Sequence, residues 1–367
     1  MPTLMVVMGT RPEAIKLAPV ILELKKKSSW KTFVVATAQH REMLDQVLTI
    51  FQIHPDADLN LMTPNQTLFD ITGKAVKAFE AVMEKIKPEL VLVQGDTTTA
   101  FVGALAGYYH QIPVGHIEAG LRTGNKYFPF PEEMNRKLIT AIADLHFAPT
   151  AKNRENLLKE GVSASQIVVT GNTVIDALLM IVKENRELEW HFPPHQRKIL
   201  ITAHRRENFG PPLEAICLAI RDLAELYPHD LFIYPVHLNQ NVQKPVHRIL
   251  GHIPNVALLP PLDYLKFAQL MAQSYLILTD SGGIQEEAPA LGKPVLVLRD
   301  ETERPEAVEA GTVRVVGPHR DRIVSETREL LENPKAYQQM ARAINPYGDG
   351  KASIRIVEFL EKWFASR

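Results

Sequence analysis

The residues able to do chemistry stand in short polar runs, each following an apolar stretch. Residues 275–279, Tyr-Leu-Ile-Leu-Thr, run into Asp280-Ser281-Gly282-Gly283, and a helical pattern begins at about Ile284. Two glycines let backbone N–H groups approach an anion closely, and a helix N-terminus adds favourable potential. Glu286 and Glu287 then fall in the expected first helical turn. Carboxylates beside a phosphate-type loop suit a ligand carrying both phosphate and sugar hydroxyls, such as a nucleoside diphosphate. A plain strand–turn–helix, with acidic residues favouring the dipole, accounts for this one segment equally well.

Other strand ends repeat the arrangement. Residues 4–8 lead into Gly9-Thr10-Arg11-Pro12-Glu13, with Lys16 one turn on. Cations at a helix start oppose its dipole, so an anionic ligand would justify them; a solvated pair is the plainer account. No Gly-x-Gly-x-x-Gly follows the strand, which argues against NAD, and no other cofactor is expected. Residues 90–94 lead into Gly95-Asp96-Thr97, where Asp96 also reads as a helix N-cap. Residues 113–117 lead into Glu118, and Glu132 opens a later helix. Asp96, Glu118 and Glu132 at one sheet edge would be costly unless they hold protons, cations or substrate hydroxyls. His116-x-Glu118 lacks the Pro-Cys-x-x-Cys half of a zinc deaminase, and His247 and His252 recur at no ligand spacing, so no metal is expected. Residues 198–203 lead into His204-Arg205-Arg206-Glu207-Asn208, residues 231–235 towards His237, and residues 295–298 into Arg299 through Arg304 and Glu306. A charge run is usually a solvated face, but these runs share one end of every strand, where open parallel sheets bind ligands.

Positioning such ends requires a β-α-β alternation, and the chain shows one. Further strands are expected at 32–37, 145–148, 167–170, 256–259 and 313–316. Helices are expected at 12–25, 41–51, 66–86, 97–109, 131–143, 150–160, 172–186, 212–227, 263–273, 284–291, 320–332, 335–343 and 351–366. Continuous apolar strands mean parallel sheets covered on both faces. At 367 residues two domains are expected, and the alternation lapses at 186–197 around Pro193-Pro194. The fold class is therefore α/β with two Rossmann-like halves. Net charge is −1, which excludes a global basic field for nucleic acid. The single cysteine, Cys217, excludes a disulfide framework and is expected on a buried helix face. No apolar run nears 18 residues and no secretion signal is seen, so no membrane partner and a cytoplasmic location are expected; the sequon Asn65-Gln66-Thr67 is then chance.

Taken together, the motifs resemble those of the non-hydrolysing UDP-N-acetylglucosamine 2-epimerases. The matching pieces are Gly9-Thr-Arg-Pro-Glu-Ala-Ile-Lys16, Thr37-Ala-Gln-His-Arg41, Gly95-Asp-Thr-Thr-Thr99 and His116-Ile-Glu-Ala-Gly-Leu-Arg-Thr-Gly124. They continue with Pro131-Glu-Glu-Met-Asn-Arg136, Thr170-Gly-Asn-Thr-Val-Ile-Asp176, His204-Arg-Arg-Glu-Asn208, Asp280-Ser-Gly-Gly-Ile-Gln-Glu-Glu-Ala-Pro289 and Glu303-Arg-Pro-Glu-Ala-Val308. The likeness runs in order from residue 3 to the final helix, far more specific than any one motif. It implies a GT-B-like architecture with a deep interdomain cleft. Residues 1–170 plus 351–367 would form the first domain, carrying acid–base groups and the returning C-terminal helix, and 171–350 the UDP-binding second domain.

The resemblance also implies interconversion of UDP-GlcNAc and UDP-ManNAc, by loss of UDP to a 2-acetamidoglucal and re-addition, in a homodimer that serves cell-surface polysaccharide. Asp96, Glu118, Glu132, His204, Arg11 and Lys16 would be catalytic. Arg11, Lys16, His204, Phe267, Ser281, Gly282, Gly283, Glu287 and Arg304 would bind substrate or UDP, Glu287 through the ribose. Gln39, His40, Arg206 and His237 match an activating second UDP-GlcNAc site of bacterial relatives, although Glu42 and Asn65 depart from the Gln and Arg some of them carry. Leu262 stands where some members place Gln near the uracil. A GT-B glycosyltransferase, a hydrolysing epimerase releasing ManNAc, and a non-catalytic UDP-sugar regulator are the competing readings. The regulator would be favoured by loss of Asp96, Glu118 or Glu132, and all three are present.

Overall fold

The computed structural model describes residues 1–37, 41–61, 63, 66–184 and 197–367, without the side chains of 41 and 42. Gln39, His40 and Asn65, and all but Arg197 of the expected linker, lie outside the described residues, as does the Glu42 side chain. The chain divides into two compact units, Met1–Ala177 with Tyr347–Arg367, and Leu178–Pro346.

The first unit holds β1 (Thr3–Met8), β2 (Lys31–Ala36), β3 (Ala57–Asp58), β4 (Leu90–Gln94), β5 (Val114–Ile117), β6 (Leu145–Ala148) and β7 (Ile167–Val169). They form one parallel sheet in the order β3-β2-β1-β4-β5-β6-β7. Strand order reverses at β1 and β4, so the loops after these strands open the crevice where such sheets bind ligands. Leu4–Met8 and Leu90–Val93 are buried throughout, as strands covered on both faces require. The C-terminal helix Ala352–Ala365 returns to this unit. Phe359 meets Phe147 edge to face at 5.8 Å, and Phe364 meets Trp30 at 5.5 Å.

The second unit holds β8 (Lys198–Thr202), β9 (Leu231–Pro235), β10 (Val256–Leu259), β11 (Leu276–Thr279), β12 (Val295–Val297) and β13 (Val313–Val315). Its parallel order, β10-β9-β8-β11-β12-β13, reverses at β8 and β11. Cys217 is buried on the helix Pro211–Leu226 among Ile220, Phe232 and Tyr234, and burial pushes its thiol up to about 12. That thiol is inert.

The expected strands all form, with ends displaced by one residue at most. Among the described residues, one strand and two α-helices were not expected from the sequence. The edge strand β3 is two residues long. The helix Pro305–Glu309 is five. The helix Gln240–Leu250 carries Pro245 inside it and a largely polar sequence, yet buries Val242, Val246 and Leu250 at a spacing of four. Two local readings are corrected. Thr97, not Asp96, caps the helix Thr98–Tyr109, its side chain accepting from the Ala100 amide at 3.0 Å. The helix after Asp280 begins at Gly282 rather than Ile284 and runs to Ala290, which moves Glu286 and Glu287 beyond its first turn. Among the described residues, no helix is long and apolar enough to cross a membrane.

Candidate active site

In the first unit carboxylates gather around the loops after β1, β4 and β5, and most of them are held by named donors. Glu13 is buried and accepts from the amides of Gly9 (3.0 Å) and Thr10 (2.7 Å) and the hydroxyls of Thr10 (2.8 Å) and Thr97 (2.6 Å). Burial raises its pKa, partly offset by those bonds. The carboxyl thus staples the loop after β1 to the loop after β4. Gly9 lets them close: a Cβ there would come 2.3 Å from Thr37 Oγ1 and 2.4 Å from Thr99 Oγ1. Arg11, half-buried at the helix start, makes no ion pair among the described residues and is available to a ligand.

Glu118 follows β5 with φ +65°, a left-handed conformation that costs a non-glycine residue about 1–2 kcal/mol. That turn aims its carboxylate over Gly95, whose Cβ would lie 3.6 Å from Oε2. Lys16 Nζ lies 2.6 Å from each Glu118 oxygen. Gln94 donates to Oε2, and Asn172 donates to Oε1 at 3.1 Å. Asp96 Oδ2 receives Arg136 Nε at 2.8 Å and Nη2 at 2.7 Å. Arg136 is fixed in turn by Glu133 at 2.8 Å, whose carboxylate also takes the amides of Thr123 and Gly124 at 3.1 Å. Those bonds outweigh desolvation and hold Glu133 below the usual carboxylate range. Glu132 opens the same helix, Glu132–Ile142, half-buried and with no partner for its carboxylate among the described residues. Beneath them His116 Nε2 donates to Gly95 O at 2.7 Å, and burial pushes the ring down to about 3, so it stays neutral.

In the second unit the loop carboxylate is turned inward. Asp280 is fully buried, and Oδ2 takes the amides of His204 (2.8 Å) and Arg205 (2.7 Å) and the Asn208 side chain (3.1 Å). Its Oδ1 has no hydrogen-bond partner and lies 3.9 Å from His204 Nδ1. The His204 ring stacks on His237 at 5.3 Å. Desolvation holds His204 below the ordinary imidazole range despite the pull of Asp280. Ser281 precedes the helix without capping it by its side chain, and Gly282 and Gly283 are its first two residues, where amides lack intrahelical partners. A Cβ on Gly282 would lie 3.7 Å from an Arg205 Nη2 and 3.8 Å from that of Arg304, so two guanidinium groups face this helix start. Arg304 Nε is engaged by the buried Glu286. Glu287 accepts from the Tyr264 hydroxyl at 2.8 Å, one turn from the half-buried Phe267. Arg206 is exposed in the turn Arg206–Asn208.

Within the first unit, Glu118 is held by Lys16, Gln94 and Asn172 and Asp96 by Arg136, and Gln94, Arg136 and Asn172 were assigned no role from the sequence. Within the second, His204 joins His237, and Glu287 joins Tyr264, which no motif signalled.

The UDP-N-acetylglucosamine 2-epimerase family profile matches residues 22–361. The chain is 54% identical to the UDP-N-acetylglucosamine 2-epimerase of Escherichia coli K12 over 365 residues, covering 97% of each. It is 54% identical to that of Bacillus subtilis over 361 residues, 97% of this chain and 94% of the relative. The crystal structure of the Neisseria meningitidis UDP-GlcNAc 2-epimerase bound to UDP-GlcNAc superposes with a TM-score of 0.88 at 52% identity, covering 99% of this chain and all (100%) of that one. With two parallel α/β units of GT-B-like type and these matches across nearly its whole length, the chain belongs to the UDP-N-acetylglucosamine 2-epimerase family of isomerases.

Proposed function

We propose that the enzyme interconverts UDP-GlcNAc and UDP-ManNAc without releasing free sugar, by eliminating UDP to 2-acetamidoglucal and adding it back. The observation that supports this reading best is the pair of oriented carboxylates, Glu118 on Lys16 and Asp96 on Arg136. The C2 hydrogen is poorly acidic because no carbonyl adjoins it. In elimination a carboxylate takes the C2 proton, the C2–H electrons form the C1=C2 bond, and the C1–O pair leaves with UDP. In the return, a proton reaches the other face of C2 and a UDP oxygen attacks C1. No electrons are gained or lost overall, so no redox cofactor is needed. Two acid–base groups are needed, and they come from among Asp96, Glu118 and Glu132.

In the second unit, His204 and the amides of Gly282 and Gly283 take the charge that develops on the departing diphosphate. Such charge-assisted bonds are worth about 1.5–3 kcal/mol each. Glu287 takes the ribose hydroxyls and Arg304 the nucleotide or the sugar. The enzyme works in the cytoplasm as a homodimer, which sedimentation would measure, and its product feeds cell-surface polysaccharide. Proton NMR with UDP-GlcNAc in D2O tests the chemistry. UDP-ManNAc bearing deuterium at C2 is expected. Free ManNAc with UDP would establish hydrolysis instead, and no isomer and no deuterium would overturn the reading.

A further inference from the structure

We propose that Asn172 is a positioning residue for Glu118, and that it makes the aim of this carboxylate depend on the seat of the C-terminal segment. The proposal rests on the elimination reading above. Asn172 is buried just before the helix Thr173–Lys183. Its Oδ1 accepts from the Val174 amide at 3.2 Å, which fixes the amide orientation and leaves Nδ2 to donate to Glu118 Oε1 at 3.1 Å. Lys16 spans both carboxylate oxygens, but an ammonium on a flexible stem supplies charge without fixing a plane. The rigid amides of Asn172 on Oε1 and Gln94 on Oε2 fix that plane.

Asn172 is itself held from the far end of the chain. Its amide donates to Tyr347 O at 2.7 Å. The backbones pack closely there: a Cβ on Gly171 would lie 3.3 Å from Gly348 Cα. One turn into the helix, Asp176 takes the Ala352 amide (3.2 Å), the Ser353 amide (2.8 Å) and the Ser353 hydroxyl (2.6 Å). Residues 347–353 thus clasp the helix start that carries Asn172, all within the first unit.

Asn172→Ser keeps a capping oxygen and removes the donor; Asn172→Asp keeps shape and cap and sets a carboxylate against Glu118. Steady-state kinetics across pH, UDP binding and thermal unfolding are measured on both. Asn172→Ser is expected to lose about 10- to 100-fold in kcat with KM and the UDP Kd within about threefold, as small misplacements of a catalytic group do. Asn172→Asp is expected to lose more and to shift the acid limb of its kcat profile upward by about half a pH unit or more, through like-charge repulsion. Asp176→Asn, which loosens the clasp without touching Glu118, should lower kcat about threefold to tenfold at unchanged KM. Parental kcat and pH profile in both Asn172 variants would overturn the positioning role, and parental kcat in Asp176→Asn would overturn the link to the C-terminal segment. Parent enzyme that places no deuterium at C2 in D2O would overturn the elimination reading and this inference with it. Deuterium in the parent with an unaltered Asn172→Asp would overturn the inference alone.

Discussion

The two units share one order over six strands, to which the first adds β7, and they use the ends at the switch point differently. After β4 and β5 the first unit presents carboxylates, with cations drawn in to orient them: Arg136 on Asp96 and Lys16 on Glu118; only after β1 is its acid, Glu13, buried against the main chain. After β8 and β11 the second unit buries its carboxylate, Asp280, in the service of two backbone amides, and sets the guanidinium groups of Arg205 and Arg304 beside the start of the next helix. The same switch point can therefore be built to move protons or to hold an anion. The choice rests on whether the loop acid points into the crevice or into the main chain.

If that division of labour is right, an acid in the first unit should affect turnover and leave nucleotide affinity alone. Asp96→Asn keeps size and can still meet Arg136. Its kcat is expected to fall about 1,000-fold or more, within the range set by loss of a general acid–base group. The UDP Kd, read by calorimetry, should stay within about threefold. Full activity would remove Asp96 from the mechanism, and a large loss of UDP binding would break the comparison itself.

What the sequence revealed follows the same physical split. Strands were legible because apolar runs such as Leu90–Val93 are buried on both faces and so carry no polar interruption. The chemistry-bearing loops were legible because charge at a strand's end is hard to explain as surface. The helix Gln240–Leu250 was not, since Pro245 and its polar residues mask an apolar stripe only three residues long, Val242, Val246 and Leu250. Asp96 was read as a cap because aspartate is a good one, but Thr97 took that place and freed the carboxylate for Arg136. The orienting partners were silent for a different reason. Lys16 and Glu118 are 102 positions apart, Asn172 and Glu118 54, and Tyr264 and Glu287 23, and no local spacing encodes such meetings.

Acid should act on the first unit through its buried histidines. His116 and His146 are register partners on β5 and β6, and burial pushes them down to about 3 and about 4. With a folded pKa below the unfolded value near 6.5, each histidine is protonated first in the unfolded chain as pH falls. Stability is therefore intact above about pH 6.5 and is lost progressively towards pH 3, by roughly 5 kcal/mol for His116 as an upper bound. Glu13 and Asp176, raised by burial, act in the opposite sense, favouring the fold at low pH and losing that benefit as pH rises through their folded values. Comparing parent with His116→Gln isolates the histidine. Urea unfolding at pH 7.5, 6, 5 and 4 should show a flatter acid decline in the variant. Identical slopes would show that His116 carries none of it.

The smallest expected effect lies in the second unit. Tyr264 donates to Glu287 at 2.8 Å, and burial with the adjacent carboxylate holds the phenol well above its ordinary range, so it remains a donor at any working pH. Tyr264→Phe leaves the ring and removes that one bond, worth about 0.5–1.5 kcal/mol, or roughly a threefold to tenfold rise in the UDP Kd if Glu287 grips the ribose. At saturating substrate kcat should stay within about twofold, because the lost contact serves binding alike in ground and transition states. A fall in kcat with unchanged affinity would place Glu287 among the reacting groups and erase the distinction between the two switch points. An unchanged Kd would show that Tyr264 steadies the fold while the ribose is held by other groups.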